Sequence, residues 1–321
     1  MKKFAMAAVA AAAMTAGVAQ AYTVGTFTNG VVVPNVIHNG ASDTTAVGLI
    51  NQSGATRAIY WTFFDQNSMH ITDGCFTMTD KDYQPFVWSA MSGAGLEGKR
   101  GYLVFAAGGV PAGPPVVAQT ACAAAAELMP SGVAGNLVDI AANAFQVNVA
   151  AQDVAFIPVI DGDLTIAGDL TTMGAGSLTA VAGAATLAAG PGVRATPSFS
   201  MRYYIDGVVN SGNDTRIVVW STGDQRGTHT VNAYDDKQDR KSVNFKLDFA
   251  ELDWFDPETI AGLPASHKDG FIEWAPGAAI PAGFPGAAGT DLFTLGGAVF
   301  TYSLISAPAF GAVQTVLGAH R

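Results

Sequence analysis

Two stretches of this chain read as copies of one segment, DTTAVGLINQSGATRAIYWTFFD at residues 43–65 and DTRIVVWSTGDQRGTHTVNAYD at residues 214–235. Each begins with Asp-Thr, continues as an apolar run, crosses a polar turn that contains glycine, and ends on an aromatic residue followed by aspartate. Further matches follow in the same order, residues 99–105 with 268–274 and, more faintly, 143–156 with 298–312. A repeat this long predicts two tandem copies of one fold rather than a short solenoid unit.

Period-two alternation predicts that these copies are built from strands. Residues 57–64 place Ile59, Trp61 and Phe63 on one face, and residues 241–249 alternate in the same way, which is typical of half-buried strands. Turns rich in glycine and asparagine separate the runs every ~8–12 residues. We therefore expect an all-β protein with two tandem antiparallel β-sandwich domains related by the internal repeat. In outline this resembles the immunoglobulin-like or jelly-roll sandwiches of secreted bacterial proteins, and the resemblance concerns the fold alone.

The N-terminus has the features of a secretory signal peptide: Lys2-Lys3, a short apolar run, and the small-x-small site Ala19-Gln20-Ala21. The alternative, an N-terminal membrane anchor, fits less well because the apolar stretch is short and rich in alanine. The expected organisation is a signal peptide at 1–21, a β-sandwich domain at 22–161, an Ala/Gly/Thr-rich linker or insertion at 162–196, and a second β-sandwich domain at 197–321.

Charge and hydropathy narrow the expected partners and location. The chain has a net charge of −10, and removal of Lys2 and Lys3 makes it −12, so it has no electrostatic attraction for nucleic acid or anionic lipid. The uncharged tail at 292–319 is broken by glycine, proline and polar residues, which favours two closing strands over a membrane span. We expect an exported bacterial protein, periplasmic, extracellular or at the cell surface, with no transmembrane span in the mature chain.

The two cysteines, Cys75 and Cys122, both lie in the first half of the chain. In an oxidising compartment the expected outcome is one disulfide between them, although free thiols or a link between chains are alternatives. The second copy has no cysteine, so the bridge would not belong to the shared fold. We expect it to tie the low-complexity stretch at 106–136, which also has a pattern for one or two helical turns, to the first domain.

The sequence contains no recognisable catalytic motif, and we assign no catalytic residue. It lacks G-x-S-x-G and the histidine spacings of metal enzymes. Asp253 and Asp256 flank Trp254 and Phe255 within residues 251–258, and two carboxylates beside an aromatic ring can bind or cleave a glycan. The competing interpretation is a loop whose aromatic residues cap the sandwich.

A cluster of acidic residues follows one predicted strand. Asp235, Asp236 and Asp239 offer oxygen ligands of the kind that Ca²⁺ prefers. Lys237 and Arg240 lie among them and oppose a cation, and Asp side chains also bond backbone groups in turns without any metal. Calcium is the one cofactor that this pattern permits.

Three functional hypotheses follow from these patterns. The first is a secreted or cell-surface, non-enzymatic structural, adhesion or assembly protein that self-associates or binds a surface or protein partner, for example in an extracellular matrix. The second is a glycan-binding or glycan-cleaving module that uses residues 251–258. The third is a calcium-stabilised extracellular domain.

Overall fold

The computed structural model describes residues 25–91, 96–109, 122, 127–128, 140–149, 153–174, 176–186, 198–206, 212–276, 298–307 and 312–320. Within these ranges the helical elements are three 3₁₀ turns, Trp88–Ala90, Leu170–Thr172 and Pro257–Thr259, so the fold is all-β as predicted. The strands are Gly30–Ile37 (β1), Asp43–Asn51 (β2), Arg57–Asp65 (β3), His70–Met78 (β4), Asp82–Val87 (β5), Arg100–Gly109 (β6), Glu127–Leu128 (β7), Ile140–Asn148 (β8), Asp153–Ile157 (β9), Leu164–Ile166 (β10), Leu178–Val181 (β11), Ala185–Thr186 (β12), Phe199–Tyr204 (β13), Asp214–Ser221 (β14), Gly227–Asp235 (β15), Arg240–Leu247 (β16), Leu252–Phe255 (β17), Asp269–Trp274 (β18), Ala298–Ala307 (β19), Ala312–Leu317 (β20) and Ala319–His320 (β21).

The first half of the chain, β1 to β11, forms two large antiparallel sheets that share one core. One sheet has the strand order β1-β6-β3-β4 with β7 added to β6, and the other has the order β5-β2-β8-β9. Alternate residues of β3 enter the core, where the rings of Phe63 and Trp88 lie 4.6 Å apart and Trp61 contacts Phe86 at 5.3 Å. Trp88, in the 3₁₀ turn after β5, is fully buried.

The second half, β13 to β21, also forms two antiparallel sheets. One has the order β16-β15-β18-β13-β21, and the other has the order β17-β14-β19, with β12 and β20 both paired to β19. Its core contains buried residues from both sheets, among them Phe199, Val219 and Trp274. The strand predicted at 241–249 is β16, which runs from Arg240 to Leu247.

Strand β14 is buried on both faces because it separates two hydrophobic clusters. Ile217 and Val219 belong to the core of the second half, whereas Val218 and Trp220 belong to the cluster that contains the core of the first half. Tyr102 of β6 contacts the Trp220 ring edge-on at 5.8 Å where the two halves meet, and we name this contact region the seam. The continuous apolar run of β14 is the pattern of a strand covered on both sides.

Of the expected linker or insertion, residues 162–174 and 176–184 pack against the first half, whereas β12 pairs with β19 of the second half. Strands β10 and β11 pair as a hairpin. The Asn29 side chain bonds both backbone groups of Leu164, at 2.9 and 3.2 Å. Leu164, Leu170 and Val181 are buried in the first core, so this segment buries more apolar surface than its Ala/Gly-rich composition led us to expect.

The remaining sequence expectations concern the termini and the cysteines. Residues 1–21 lie outside the described part of the chain, so the signal peptide stays a prediction.

Cys75 and Cys122 form a disulfide, which is compatible with an exported protein. Most of 106–136 also lies outside the described ranges, and residues 127–128 within it form a strand rather than helix. The described part of the tail forms β19, β20 and β21, and no described helix has the length and hydropathy to cross a membrane.

Candidate functional site

A cleft of about 490 Å³ lies between the two halves, at the end of the seam where their surfaces diverge. Its volume falls in the range of roughly 300–1,000 Å³ that is usual for small-molecule sites. The lining residues are Asn35, Arg100, Gln146, Asn148, Asp153, Ala155, Asp214, Arg216, Val218, Trp254, Leu304, Ser306, Ala312 and Val313.

The wall from the second half continues the face of β14 that packs on the first half. Alternation along this strand puts Asp214, Arg216 and Val218 on the same side as Trp220. Trp254 of β17 is the cross-strand partner of Val218, so it joins this wall. Along one sheet face the residues therefore change from apolar at the seam to charged in the cleft.

The wall from the first half comes from four strands, β1, β6, β8 and β9. Arg100 begins β6 and pairs with the last residue of β1, next to the register shift that follows Val33. That irregularity contains Asn35, which is only 2% exposed and whose Oδ1 atom has no hydrogen-bond partner among the described residues. Gln146 and Asp153 of β8 and β9 complete this wall.

Two arginines lie over one tryptophan in the cleft. The guanidinium carbons of Arg100 and Arg216 lie 4.8 and 5.0 Å from the centre of the Trp254 ring, within the range of cation–π attraction. Arg216 also forms ion pairs with Asp214 at 2.5 Å and Asp256 at 2.6 Å. The charge of Arg216 is therefore balanced by carboxylates of its own half.

Burial shifts the ionisation of the groups around the cleft. It raises the pKa of Asp214, and the neighbouring Arg216 charge opposes that change. It lowers the pKa of Arg100, with opposing effects from Tyr302, Asp43 and Asp253. A guanidinium has so high an ordinary pKa that Arg100 stays charged at any physiological pH.

The structure separates the three predicted glycan-binding residues into different roles. Trp254 is 36% exposed and lines the cleft. Asp253 is buried, and its carboxylate accepts hydrogen bonds from the backbone N–H groups of Asp248, Phe249 and Trp254 at 2.5 to 3.0 Å. Asp256 is also buried; it caps the 3₁₀ turn by accepting from the Glu258 N–H at 2.8 Å, besides pairing with Arg216.

The acidic cluster predicted for calcium lies in the turn between β15 and β16. Asp235 accepts hydrogen bonds from the backbone N–H groups of Lys237 at 2.9 Å and Asp239 at 2.8 Å, while Asp236 and Asp239 are exposed. Asp65 makes the same two kinds of bond in the turn after β3. In both turns the aspartate therefore stabilises the backbone, as aspartate commonly does in tight turns.

A second acidic group was not predicted. Carboxylate oxygens of Asp214, Asp256 and Glu258 lie within 4.8 Å of one another. Arg216 lies beside two of these carboxylates, so the group is already compensated by a cation of the protein.

Hydrogen bonds from β6 and from the turn after β3 to the second half stabilise the seam. Glu251 is buried and accepts a hydrogen bond from the Tyr102 hydroxyl at 2.7 Å, and that hydroxyl also lies 2.8 Å from Ser68. The Gln66 carbonyl accepts bonds from the backbone of Glu251 and Leu252 at 3.1 and 3.2 Å. Burial raises the pKa of Glu251 to about 7, although its hydrogen bonds act in the opposite direction.

The outer face of the β5-β2-β8-β9 sheet carries no charged residue. Strand register and alternation give its members as Ala46, Gly48, Ile50, Tyr83, Pro85, Val87, Asn143, Phe145, Val147, Val154 and Phe156, which we name the apolar outer face. The most exposed of these are Tyr83 at 60% and Val154 at 54%, and Phe145 contacts Phe156 at 5.9 Å. A side chain at Gly48 would collide with the Tyr83 ring, so this glycine lets the tyrosine lie flat on the sheet.

Comparison with known proteins gives no assignment: no family model matches the chain, and no curated protein or solved structure shows significant similarity to it. The functional argument therefore rests on the geometry of the cleft and of the apolar outer face.

Proposed function

We propose that this chain is an exported, non-enzymatic structural or assembly protein that associates with further copies of itself through the apolar outer face. The observation that carries the proposal is a four-stranded sheet face with large exposed apolar side chains and no charge. Contiguous apolar patches of this kind are rare on monomeric soluble proteins unless they bind something.

The proposal includes two tandem β-sandwiches of common origin. The strand orders support it, since β1-β6-β3-β4 corresponds to β13-β18-β15-β16 and β5-β2-β8-β9 corresponds to β17-β14-β19-β20. Each corresponding pair includes segments that match in sequence. Duplication followed by divergence of the outer faces would give one molecule with two different ends.

The opposite end of the molecule provides the contrast. On the opposite sheet, β16-β15-β18-β13, the residues that point outward include Thr230, Lys246, Glu273 and Arg202. The outer face of this sheet is therefore polar and charged, as is usual for a sheet exposed to solvent. Both end sheets are solvent-facing, but only one is apolar. General hydrophobicity of the chain therefore does not explain the apolar outer face.

A second copy of the chain is the partner that suits this face. The chain carries a net charge of −10, so two copies repel each other across most of their surfaces. An uncharged face is where they approach without like-charge repulsion. Sheet faces stack about 10 Å apart with interdigitating side chains, and burial of each half-exposed apolar side chain contributes roughly 1 kcal/mol.

Sedimentation equilibrium over a wide concentration range tests the proposal. The expected result is a mass that rises from one chain to two or more. Val154→Lys adds a charge to the apolar outer face and should raise the dissociation constant more than tenfold. Thr230→Lys makes a matched change on the opposite sheet and should leave association unchanged. A wild-type protein that stays monomeric at high concentration would overturn the proposal.

A second candidate function is glycan binding in the cleft, favoured by the exposed Trp254 beside arginine, aspartate and amide side chains. We propose binding rather than cleavage because both carboxylates are already engaged. Asp253 accepts hydrogen bonds from three backbone N–H groups, and Asp256 forms an ion pair with Arg216. Trp254→Ala should abolish retention on an oligosaccharide panel under conditions in which its unfolding curve shows that the variant is still folded. Unchanged retention of this variant would remove the candidate.

A further inference from the structure

We infer that the cleft between the halves selects an acidic saccharide, in which a uronic-acid carboxylate pairs with Arg100. This inference rests on the glycan-binding candidate above and adds the charge class of the ligand.

Arg100 is the cation of the cleft that lacks a counter-ion. In the described ranges no carboxylate lies within ion-pair distance of its guanidinium, which lies 4.8 Å from the centre of the Trp254 ring. Asp43 and Asp253 influence its charge from farther away. Arg216, by contrast, has two carboxylates at 2.5 and 2.6 Å. A partly buried guanidinium without a partner is costly in free energy, and a bound carboxylate would relieve that cost in a bidentate contact.

An unpartnered acceptor lies in the same wall. The Oδ1 atom of Asn35 is buried and accepts no hydrogen bond from the described residues. The Tyr302 hydroxyl is buried beside it; burial raises the pKa of this hydroxyl, whereas a side-chain hydrogen bond with Asn35 and the charge of Arg100 act in the opposite direction. Unsatisfied buried polar atoms indicate a missing donor or water. A ligand that presents hydroxyl groups next to its carboxylate supplies both kinds of contact.

The other lining residues distinguish among anions. Asp153 and Asp214 place negative charge on the two walls, which disfavours a phosphate dianion more than a single carboxylate surrounded by hydroxyls. Aspartate, Gln146 and Ser306 are also hydrogen-bonding partners for sugar hydroxyls. The exposed 36% of Trp254, beside the part of the ring that the two arginines cover, adds an apolar surface for sugar C–H groups. A uronic acid combines all these features in one ring.

Isothermal titration with a uronic-acid disaccharide and its carboxyl-reduced neutral counterpart tests the inference. The wild-type protein should bind the acidic sugar at least tenfold more tightly than the neutral one. Arg100→Gln should abolish that preference, and Arg226→Gln, at a surface arginine far from the cleft lining, should retain it. Asp153→Asn removes a negative charge from the cleft lining and should strengthen binding of the acidic sugar severalfold relative to that of the neutral one.

The outcomes separate this inference from the candidate on which it rests. Equal binding of the two sugars, or a preference that survives Arg100→Gln, overturns the role of Arg100 and leaves glycan binding standing. If the acidic sugar does not bind, the inference is overturned, and if no sugar in the oligosaccharide panel binds, the candidate is overturned as well. Because Asp153 lies at the partly exposed start of a strand, its variant stays informative even if Arg100→Gln fails to fold.

Discussion

Replacement of Glu251 by glutamine should change how the stability of this protein depends on pH. Glu251 is 5% exposed at the seam between the halves and accepts a hydrogen bond from the Tyr102 hydroxyl at 2.7 Å. A glutamine side-chain oxygen can accept the same bond. The substitution therefore removes the ionisation while it retains the contact.

The magnitude follows from the pKa of Glu251, which burial raises from 4.5 to about 7. Below pH 4.5 the carboxyl is protonated in both the folded and the unfolded chain. As pH rises from 4.5 to 7, the unfolded chain loses this proton first, so the free energy of unfolding falls. The loss is complete above pH 7 and amounts to about 3 kcal/mol.

Urea unfolding followed by tryptophan fluorescence at several pH values between 4 and 8 measures this effect. The difference in unfolding free energy between Glu251→Gln and the wild type should grow in favour of the variant by about 3 kcal/mol across that window. Asp236→Asn, at an exposed carboxyl, should show no such trend. A difference for Glu251→Gln that is constant with pH would refute the assignment of a buried, protonated carboxyl at the seam.

Further predictions concern the backbone, the turn and the disulfide. Gly101→Ala should destabilise the protein by several kcal/mol in urea, since the added Cβ would lie 1.9 Å from the Phe64 carbonyl oxygen. Asp235→Ala should lower the unfolding free energy by about 1–2 kcal/mol because two backbone N–H groups lose their acceptor. Since that carboxylate is engaged by the backbone, EDTA should leave the Tm unchanged; a clear fall in Tm would instead favour the calcium hypothesis. Reduction of Cys75–Cys122 should cost about 2–4 kcal/mol, measured by unfolding with and without reductant, and equal curves would contradict it.

Sequence reasoning recovered the strands because their signal is local. The alternation at 57–64 located β3, but the expectation that this strand is half-buried was wrong, because residues 58–64 are all buried. The alternation at 241–249 corresponds to β16 to within two residues, and there one face is buried and the other exposed. Side-chain alternation requires only that one face be buried, and that information is present in a few consecutive residues. The disulfide was also predictable, since a chain with a predicted signal peptide and two cysteines has one possible intramolecular pairing.

The cleft was not predictable because its walls come from residues far apart in the chain. Arg100 lies within one of the matched segments, but nothing in the repeat distinguishes it from a surface cation. Asn35 lies in an irregularity of β1 that Pro34 marks in the sequence, but a proline in a strand does not tell which neighbouring side chain is buried. Asp253 was predicted to bind a glycan because it lies next to Trp254 in the sequence. In the structure its carboxylate instead accepts hydrogen bonds from three backbone N–H groups.

The apolar outer face was missed for a related reason. Its members come from four strands, and each strand contributes only two or three alternate residues, which look like ordinary half-buried positions. Only the register of β5, β2, β8 and β9 brings them together. An uncharged sheet face is therefore a property of pairing rather than of any single segment.

Hydroxyl-radical footprinting at low and high protein concentration tests the proposed self-association most directly. Phe145 and Phe156 on the apolar outer face are 39% and 37% exposed, and Tyr204 and Phe271 on the opposite end sheet are both 37% exposed, so the two pairs are matched. We predict that oxidation of Phe145 and Phe156 falls as concentration rises while that of Tyr204 and Phe271 stays constant. Oxidation that is independent of concentration at all four residues, or protection confined to the opposite sheet, would contradict the account.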